Sequence, residues 1–240
     1  MIFEPSVKLI AHTSILSDWS DDYDPRMHLG EMEAVGADAD VLAEFAGRSC
    51  YQSWHKPNEK TRANKDYLAN ILRQGHESVL EHASATFYIQ GVSRALTHEL
   101  IRHRHLSYSQ LSQRFVDESE SEAVMPPAIS SLEGPVRAVA GSAVAAANNT
   151  ASESYAHLVD VLQYKGLPRK QAREAARAVL TNMTETKIVV TGNMRAFRDF
   201  VKKRHTLAAD AEIRKVAGLI LEQLREIAPS SFQDIPEEPQ

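Results

Sequence analysis

The spacing of hydrophobic positions changes along the chain and predicts an alternation of strands and helices. Apolar, β-branched and aromatic residues dominate residues 7–12, 83–91 and 187–193, which predicts three strands. Elsewhere apolar residues recur at helical intervals, as Tyr67, Ile71 and Leu72 do. This spacing predicts helices over residues 32–51, 61–75, 92–102, 135–164, 194–204 and 208–228, with a further helix that begins at Pro168. The order of these elements predicts a single α+β domain over residues 1–240, rich in helices, with a mostly antiparallel sheet.

Three acidic or Pro-rich segments interrupt this pattern. Residues 20–30 predict a loop, and residues 117–135 predict a long connection without regular structure, because acidic residues and two adjacent prolines disfavour helices and strands. The Pro- and acid-rich residues 229–240 predict a frayed tail.

Composition narrows the class of protein. Hydrophobic residues make up 43% of the chain, which is enough for a sizeable core, and its single cysteine, Cys50, excludes an internal disulfide. We expect a cytoplasmic protein without a membrane span, because there is no export signal and no run of about 18 apolar residues. A net charge of −5 argues against broad nucleic-acid binding, so any basic site must be local.

The sequence RHRHLSYSQLSQR, residues 102–114, is the strongest candidate for such a site, and its histidines first suggest zinc. His98, Glu99 and His103 resemble a zinc motif, and so do His76, Glu77 and His82. That motif requires two histidines four residues apart on one helical face, whereas these pairs are five and six residues apart. We therefore predict no metal site.

Covalent catalysis and backbone phosphate loops are also disfavoured. Ser107, Ser109 and Ser112 lie near histidines in sequence, but no GxSxG elbow surrounds them, and serines of a loop usually bind backbone groups. Cys50 has the sequence context of a small buried residue. The glycines form neither GxG nor GxxxxGK, so a nucleotide or flavin would have to be held by side chains.

Cationic side chains at helical spacing could hold an anion. Three such stripes are Arg94, His98 and Arg102; Lys170, Glu174 and Arg177; and Phe197, Val201 and Arg204. A single stripe is usually a solvated surface, but three stripes beside RHRHLSYSQLSQR favour binding of a small dianion. Arginine forks and serine hydroxyls bind phosphate without a Gly-rich loop, and the Gln110 amide could bind a pyrimidine edge.

The same stretch resembles a known family. RHR, seven residues, Ser, one residue and Arg form the signature of the flavin-dependent thymidylate synthases, matched here by Arg102, His103, Arg104, Ser112 and Arg114. Residues 76–82, 172–180 and 191–204 resemble further family segments in the family's order. The resemblance therefore covers about residues 40–230.

The resemblance implies an enzyme that converts dUMP to dTMP, with methylenetetrahydrofolate as carbon donor, NADPH as reductant and FAD as the redox cofactor. It implies a homotetramer whose active sites combine residues of more than one chain. The family uses no cysteine nucleophile, which fits the lone Cys50.

The resemblance also assigns the site residues. FAD contacts fall on Ser78, Arg102, His103, Arg104, His105, Asn193 and Arg195. The residues expected to hold dUMP, above all its phosphate, are Arg94, Ser112, Arg114, Lys170 and Arg177. Glu99 and Gln110 would lie near the base or sugar, while Arg204 would polarise the pyrimidine and Ser112 would position it without attacking it.

Three positions depart from the family pattern and keep other functions open. Asp199 stands where Asn or His usually contacts FAD, Thr181 stands where proline is usual, and Ala208 stands where many members carry His. The alternatives are a small-anion or nucleic-acid-binding module, a metal-dependent hydrolase, and a degenerate, non-catalytic homologue.

Overall fold

An antiparallel sheet of four strands forms one layer of the molecule. The computed structural model describes residues 1–16, 37–54 and 60–240, so the predicted loop at 20–30 lies outside the described residues. The strands are β1 (Ser6–His12), β2 (Ser84–Ser93), β3 (Ser107–Gln110) and β4 (Glu185–Asn193), in the order β1-β2-β4-β3. All three strand pairs are antiparallel, so the predicted α+β class is confirmed.

Helices cover one face of this sheet and account for most of the other described elements. They are α1 (Asp38–Tyr51), α2 (Asn64–Arg73), α3 (Arg94–Leu100), α4 (Pro127–Ser130), α5 (Gly134–Tyr164), α6 (Arg169–Ala176), α7 (Met194–Arg204) and α8 (Ala211–Ile227). Short 3-10 turns occupy Glu77–Glu81, Arg177–Val179 and Ser230–Phe232. No helix in the described part of the chain is long and apolar enough to cross a membrane.

The core lies between the sheet and helices α7 and α8. Strand periodicity places alternate side chains of β2 and β4 on the covered face, where Phe87 pairs with Val190 and Ile89 with Ile188. Phe197 of α7 meets Phe87 edge to face, with ring centroids 5.2 Å apart. Burial of each such side chain contributes about 1.5–3 kcal/mol, so this face fixes the orientation of α7.

Strand β2 is longer than its sequence predicts, and the helix after it is shorter. Gly91 has a φ of +69° at a register shift between β2 and β4, which extends the strand to Ser93. The Ser93 hydroxyl then accepts a hydrogen bond from Leu96 N at 3.1 Å and caps α3. The predicted helix over residues 92–102 is therefore wrong at both ends, and Arg102 lies beyond α3.

Strand β3 was not predicted, because its outward residues are small and polar. Ser107 pairs with Thr191 and Ser109 with Val189 along the edge of β4, while Tyr108 and Gln110 face the covered side. The prediction that these serines lie in a loop is wrong.

Residues 117–135 are more regular than predicted. The adjacent prolines begin α4, and short bridges join Val124 to Ile2 and Ala123 to Thr184. Ala123, Val124 and Met125 are buried, so this segment belongs to the folded body. The two prolines were expected to disfavour a helix in this segment, but proline is compatible with the first turn of a helix.

The C-terminal tail is packed against the fold, in contrast to the predicted fraying. Phe232 and Ile235 are buried. Asp40, at the start of α1, accepts hydrogen bonds from Ser230 N at 2.7 Å and Ser231 N at 3.0 Å. Burial raises the pKa of Asp40, although these hydrogen bonds oppose the shift. Apolar anchors at 232 and 235 outweigh the acidic composition of the tail.

Arg198 joins the tail to the centre of the molecule and has no exposed side-chain surface. Its guanidinium donates to Asp234 Oδ1 at 2.7 Å and Oδ2 at 2.8 Å, and also to the Ser231 carbonyl. Glu77, in the turn before β2, accepts from the same side chain at 3.3 Å. Burial would raise the pKa of Glu77, but Lys202 and Arg198 lower it. Three distant segments are therefore held by one cation.

Helix α5 is poorly covered along most of its length. Its predicted range is confirmed, yet Ala151, Tyr155 and Val159 are its buried residues. Val136 and Val139, in the N-terminal half, are 63% and 72% exposed.

Candidate active site

A tight turn after α3 positions the RHRH stretch. His103 N donates to Leu100 O at 3.1 Å, and Leu106 N donates to His103 O at 3.1 Å. The Tyr108 hydroxyl lies 2.7 Å from Leu100 O and 2.8 Å from His103 O. Burial raises the pKa of Tyr108 to about 12, so the phenol keeps its proton and can donate. Gly192 of β4 lets Leu106 approach its backbone closely, which fixes the turn on the sheet.

Arg204, at the end of α7, lies at the centre of a polar cluster. Its Nη1 donates to Glu99 Oε2 at 2.6 Å, and its Nε donates to His103 Nε2 at 3.0 Å. The other imidazole nitrogen, Nδ1, faces Asp199 Oδ2 at 3.7 Å. Glu99 and Arg204, both predicted to lie near the nucleotide, are thus in direct contact. The Arg204 side chain is 21% exposed, so a ligand can still reach it.

His103 is held as a neutral imidazole. Its ring packs edge to face on Phe200, at 5.0 Å between centroids, and the residue is 8% exposed. Burial and then the charge of Arg204 lower the pKa of His103, while Asp199 raises it less. His103 was predicted to contact FAD, but both ring nitrogens face protein groups.

A cationic cleft of about 420 Å³ opens beside the N-terminus of α3. Arg94, His98 and Arg177 line it, together with Gln113, Glu174 and Thr181. Burial lowers the pKa of Arg94, and Arg177 lowers it further, while the buried Glu118 raises it. Two guanidiniums forced close together in a partly desolvated cleft suit a dianion. The sequence prediction that Arg94 and Arg177 act together is consistent with this geometry.

Only some residues of the predicted charged stripes line this cleft. Arg102 lies past the end of α3, so it does not continue the face of Arg94 and His98. Glu174 pairs with Arg114, whose Nε donates at 2.9 Å, and not with Lys170. The Lys170 ammonium lies 5.1 Å from the centroid of the exposed Phe115 ring. Arg114 and Lys170 therefore flank the cleft and do not line it.

A second cleft, of about 480 Å³, lies on the other side of Asp199. His105, Asn193, Arg195 and Asp199 line it. Asn193 Oδ1 caps α7 by accepting from Ala196 N at 2.8 Å, which leaves its amide N–H groups free to donate. Arg195 pairs with Glu81 at the surface. Of the residues predicted to bind FAD, His105, Asn193 and Arg195 line this cleft. Ser78 lines an adjoining cleft, which also contains Arg195.

The remaining predicted residues behave differently. Arg102 and Arg104 are exposed and form no ion pair within residues 1–16, 37–54 and 60–240. Gln110 donates its amide to Thr97 and Thr186, each at 3.2 Å, so that its donor groups are committed to the fold. The Ser112 hydroxyl has no hydrogen bond to any described residue, and no histidine base activates it.

Sequence reasoning missed two charged residues behind the cationic cleft. Glu118 is 1% exposed, and it accepts a hydrogen bond from Ser121. Arg173 donates to Asp117 at 2.6 Å and holds the segment after Ser112 against α6. No pattern marked either residue, because Glu118 lies at irregular backbone and the partner of Arg173, a residue of α6, is distant in the chain. Among the described residues no three His, Cys, Asp or Glu side chains are grouped as metal ligands.

Comparisons with known proteins agree with the motif. The family model described as thymidylate synthase complementing protein matches residues 32–230. A protein of Mycobacterium phage D29 named probable flavin-dependent thymidylate synthase is 54% identical over 236 residues, which is 97% of each chain. Flavin-dependent thymidylate synthases of Mycobacteroides abscessus and Mycobacterium tuberculosis are 51% and 50% identical over 235 residues, covering 95% of this chain and 88% of theirs.

Proposed function

Since the chain belongs to the thymidylate synthase complementing protein family, as the RHR motif predicted, we propose that it methylates dUMP to dTMP. The carbon comes from methylenetetrahydrofolate, the reductant is NADPH, and the products include tetrahydrofolate. The observation that carries the proposal is a pair of clefts, a cationic one at the start of α3 and a donor-rich one that contains Asp199, the carboxylate facing His103.

The cationic cleft is the proposed phosphate site. Arg94 and Arg177 bind the phosphate dianion, which relieves the repulsion between their guanidiniums. Arg114 stays at the rim with Glu174, where a small movement brings it to the ligand. Lys170 adds positive potential and Ser112, at the same rim, positions the nucleotide without attacking it. The substitution for the family's usual proline, Thr181, lines this cleft and leaves it open.

Arg204 is the proposed electrostatic catalyst. A pyrimidine activated at C5 develops negative charge on its carbonyl oxygens, and a preorganised guanidinium stabilises that charge. Glu99 and His103 fix the guanidinium before substrate arrives, so little reorganisation is required. Gln110 acts through the fold beneath the site, given its bonds to Thr97 and Thr186.

The second cleft is the proposed FAD site. Its donor set consists of Arg195, the free amide of Asn193, the His105 imidazole and, next to it, the Ser78 hydroxyl. Exposed and unpaired Arg102 and Arg104 add cations close by in the chain, which suits a diphosphate-bearing cofactor without a Gly-rich loop. When bound, FAD supplies the redox chemistry, and these residues orient it and exclude water.

The first test is an absorbance spectrum of the purified protein, followed by anaerobic addition of NADPH with and without dUMP. Flavin bands that bleach with NADPH, and formation of dTMP once methylenetetrahydrofolate is added, are the expected results. A protein that binds neither added FAD nor dUMP would contradict the proposal and would favour a degenerate homologue.

Self-association is a further part of the proposal, with a homotetramer whose active sites combine several chains. The support is the uncovered N-terminal half of α5, where Val136 and Val139 are exposed next to a groove lined by Phe3, Met125 and Ile129. Val139→Asp should lower the mass measured by light scattering after gel filtration. The control Val161→Asp, in the C-terminal half of the same helix, should leave the mass unchanged. An unchanged mass for Val139→Asp would contradict this use of α5.

A cytoplasmic location completes the proposal. It is supported by the single free cysteine, since secreted proteins of modest size more often carry disulfides.

A further inference from the structure

Asp199 faces the imidazole that holds Arg204, although its position in the chain suggested only an altered contact to FAD. Its Oδ2 lies 3.7 Å from His103 Nδ1, and its Oδ1 lies 2.7 Å from Lys203 Nζ. Its side chain is 45% exposed, whereas the His103 side chain is 6% exposed. Asp199 therefore lies between the buried His103 ring on one side and solvent and the donor-rich cleft on the other.

The hydrogen bond from Arg204 determines which nitrogen of that ring carries the proton. Arginine stays protonated and can only donate, so His103 Nε2 must accept at 3.0 Å and must be unprotonated. The proton of neutral His103 then resides on Nδ1, the atom that faces Asp199. A second proton on the ring would point an N–H at the Arg204 N–H and break the bond.

We propose that Asp199 and His103 are positioning residues, with Asp199 favouring the imidazole tautomer that accepts from Arg204 and thereby aligns its guanidinium. This inference rests on the proposed role of Arg204 in the reaction. The charged groups facing the ring are Arg204, Asp199 and Lys203, all from α7, while α3 contributes Glu99 through Arg204 and β3 contributes the Tyr108 hydroxyl at the His103 carbonyl.

Two substitutions near His103 should shift its pKa in opposite directions. Asp199 raises the pKa of His103 and Lys203 lowers it, although burial and Arg204 dominate. Asp199→Asn keeps an acceptor but removes the charge, so His103 should take up its second proton at a lower pH. Lys203→Gln should shift the same protonation to a higher pH. Lys202→Gln is the matched control, because Lys202 points to Glu77 and should leave His103 unchanged.

The experiment follows the imidazole nitrogens of protein containing ¹⁵N-labelled histidine during a pH titration, with the His103 signal assigned from His103→Gln. The acid limb of kcat, measured at saturating substrate and flavin, should move with that signal in both variants. Asp199→Ala should lower kcat at neutral pH on the order of 10-fold, as for other residues that orient an active side chain, and Asp199→Asn should restore most of it.

Two outcomes would overturn the proposal. Either Asp199→Asn and Lys203→Gln leave the His103 signal in place or move it the same way, or the signal moves while the acid limb of kcat does not. The titration needs no substrate, so it separates this inference from the proposed function. Full turnover in Arg204→Ala would instead remove the role of Arg204 while the titration shifts persisted.

Discussion

Arg198 and Arg204 lie on the same helix, less than two turns apart, but their environments differ. Arg198 has no exposed side-chain surface, and its two terminal nitrogens donate to Asp234, Ser231 and Glu77. Arg204 is held by Glu99 and His103, yet its side chain is 21% exposed. A buried guanidinium whose acceptors are all protein groups stabilises a fold, whereas one that is held by protein groups and still partly exposed can stabilise charge on a ligand.

Arg198→Ala should give the largest effect and tests whether this arginine stabilises the fold. Removal of one partner from a buried ionic network typically costs about 3–5 kcal/mol, and we expect a loss of about 3 kcal/mol in the free energy of unfolding, since Asp234 is partly exposed. Urea unfolding followed by circular dichroism measures it. Arg195→Ala, on the same helix but in an exposed pair with Glu81, should cost less than about 1 kcal/mol. Equal losses would show that burial does not distinguish these arginines.

Arg204→Ala should give the reverse pattern. We expect kcat to fall about 100-fold, as when one preorganised donor to a developing charge is removed. The flavin absorbance and the unfolding midpoint should stay close to those of the unmodified protein. Arg204→Lys should recover only part of the activity, because an ammonium lacks the planar fork that meets Glu99 and His103 together. Unchanged kcat in Arg204→Ala would leave both arginines structural.

Arg177→Ala tests a third kind of arginine, a cation of the cleft that has no ion pair among the described residues. We expect KM for dUMP to rise about 10-fold with kcat little changed, because phosphate binding contributes equally to ground and transition states. Steady-state kinetics at saturating folate and NADPH provide the measurement. Arg169→Ala, exposed on α6 and outside the cleft, is the control that should match the unmodified protein.

Acid titration should produce the smallest effect, and the Arg198 network should contribute to it. Burial would raise the pKa of Asp234, but Arg198 lowers it below the usual 3.8, just as Lys202 and Arg198 lower that of Glu77 below 4.5. Groups with a lowered folded pKa contribute stability above their unfolded pKa and lose it as pH falls through the folded value. The contribution of this network to the unfolding free energy should therefore decline below about pH 4.5, so the free energy should depend less steeply on pH in Asp234→Asn. Parallel declines in both proteins would contradict this assignment.

The sequence predicted the helices and central strands well, because their apolar spacing reports burial directly. It did not mark Arg198, although Met194, Phe197, Arg198 and Val201 follow the spacing of one buried helical face. It failed at β3 and at the tail, where pairing to β4 and contacts to Asp40 decide the structure. Such partners are distant in the chain and leave no local pattern.

For the site, the motifs predicted some of the groupings of charged residues but not the neighbours that restrain them. Arg94 and Arg177 share a cleft as expected, and Glu99 meets Arg204. The burial of His103 against Phe200 and the approach of Asp199 depend on the packing of α7 on the sheet. A family pattern assigns a residue to a ligand, whereas only the folded geometry gives its hydrogen-bond partners.

The hydrogen bonds between Asp40 and Ser231 span 191 residues, which bears on how the chain folds during synthesis. The first turn of α1 waits for partners that emerge from the ribosome only after β4, α7 and α8 have been made. Arg198 likewise remains without Asp234 until then. Contacts of such sequence separation slow folding because loop closure precedes any gain in contact energy. Asp40 thus stays without these partners through most of translation, and residues 230–234 complete the network.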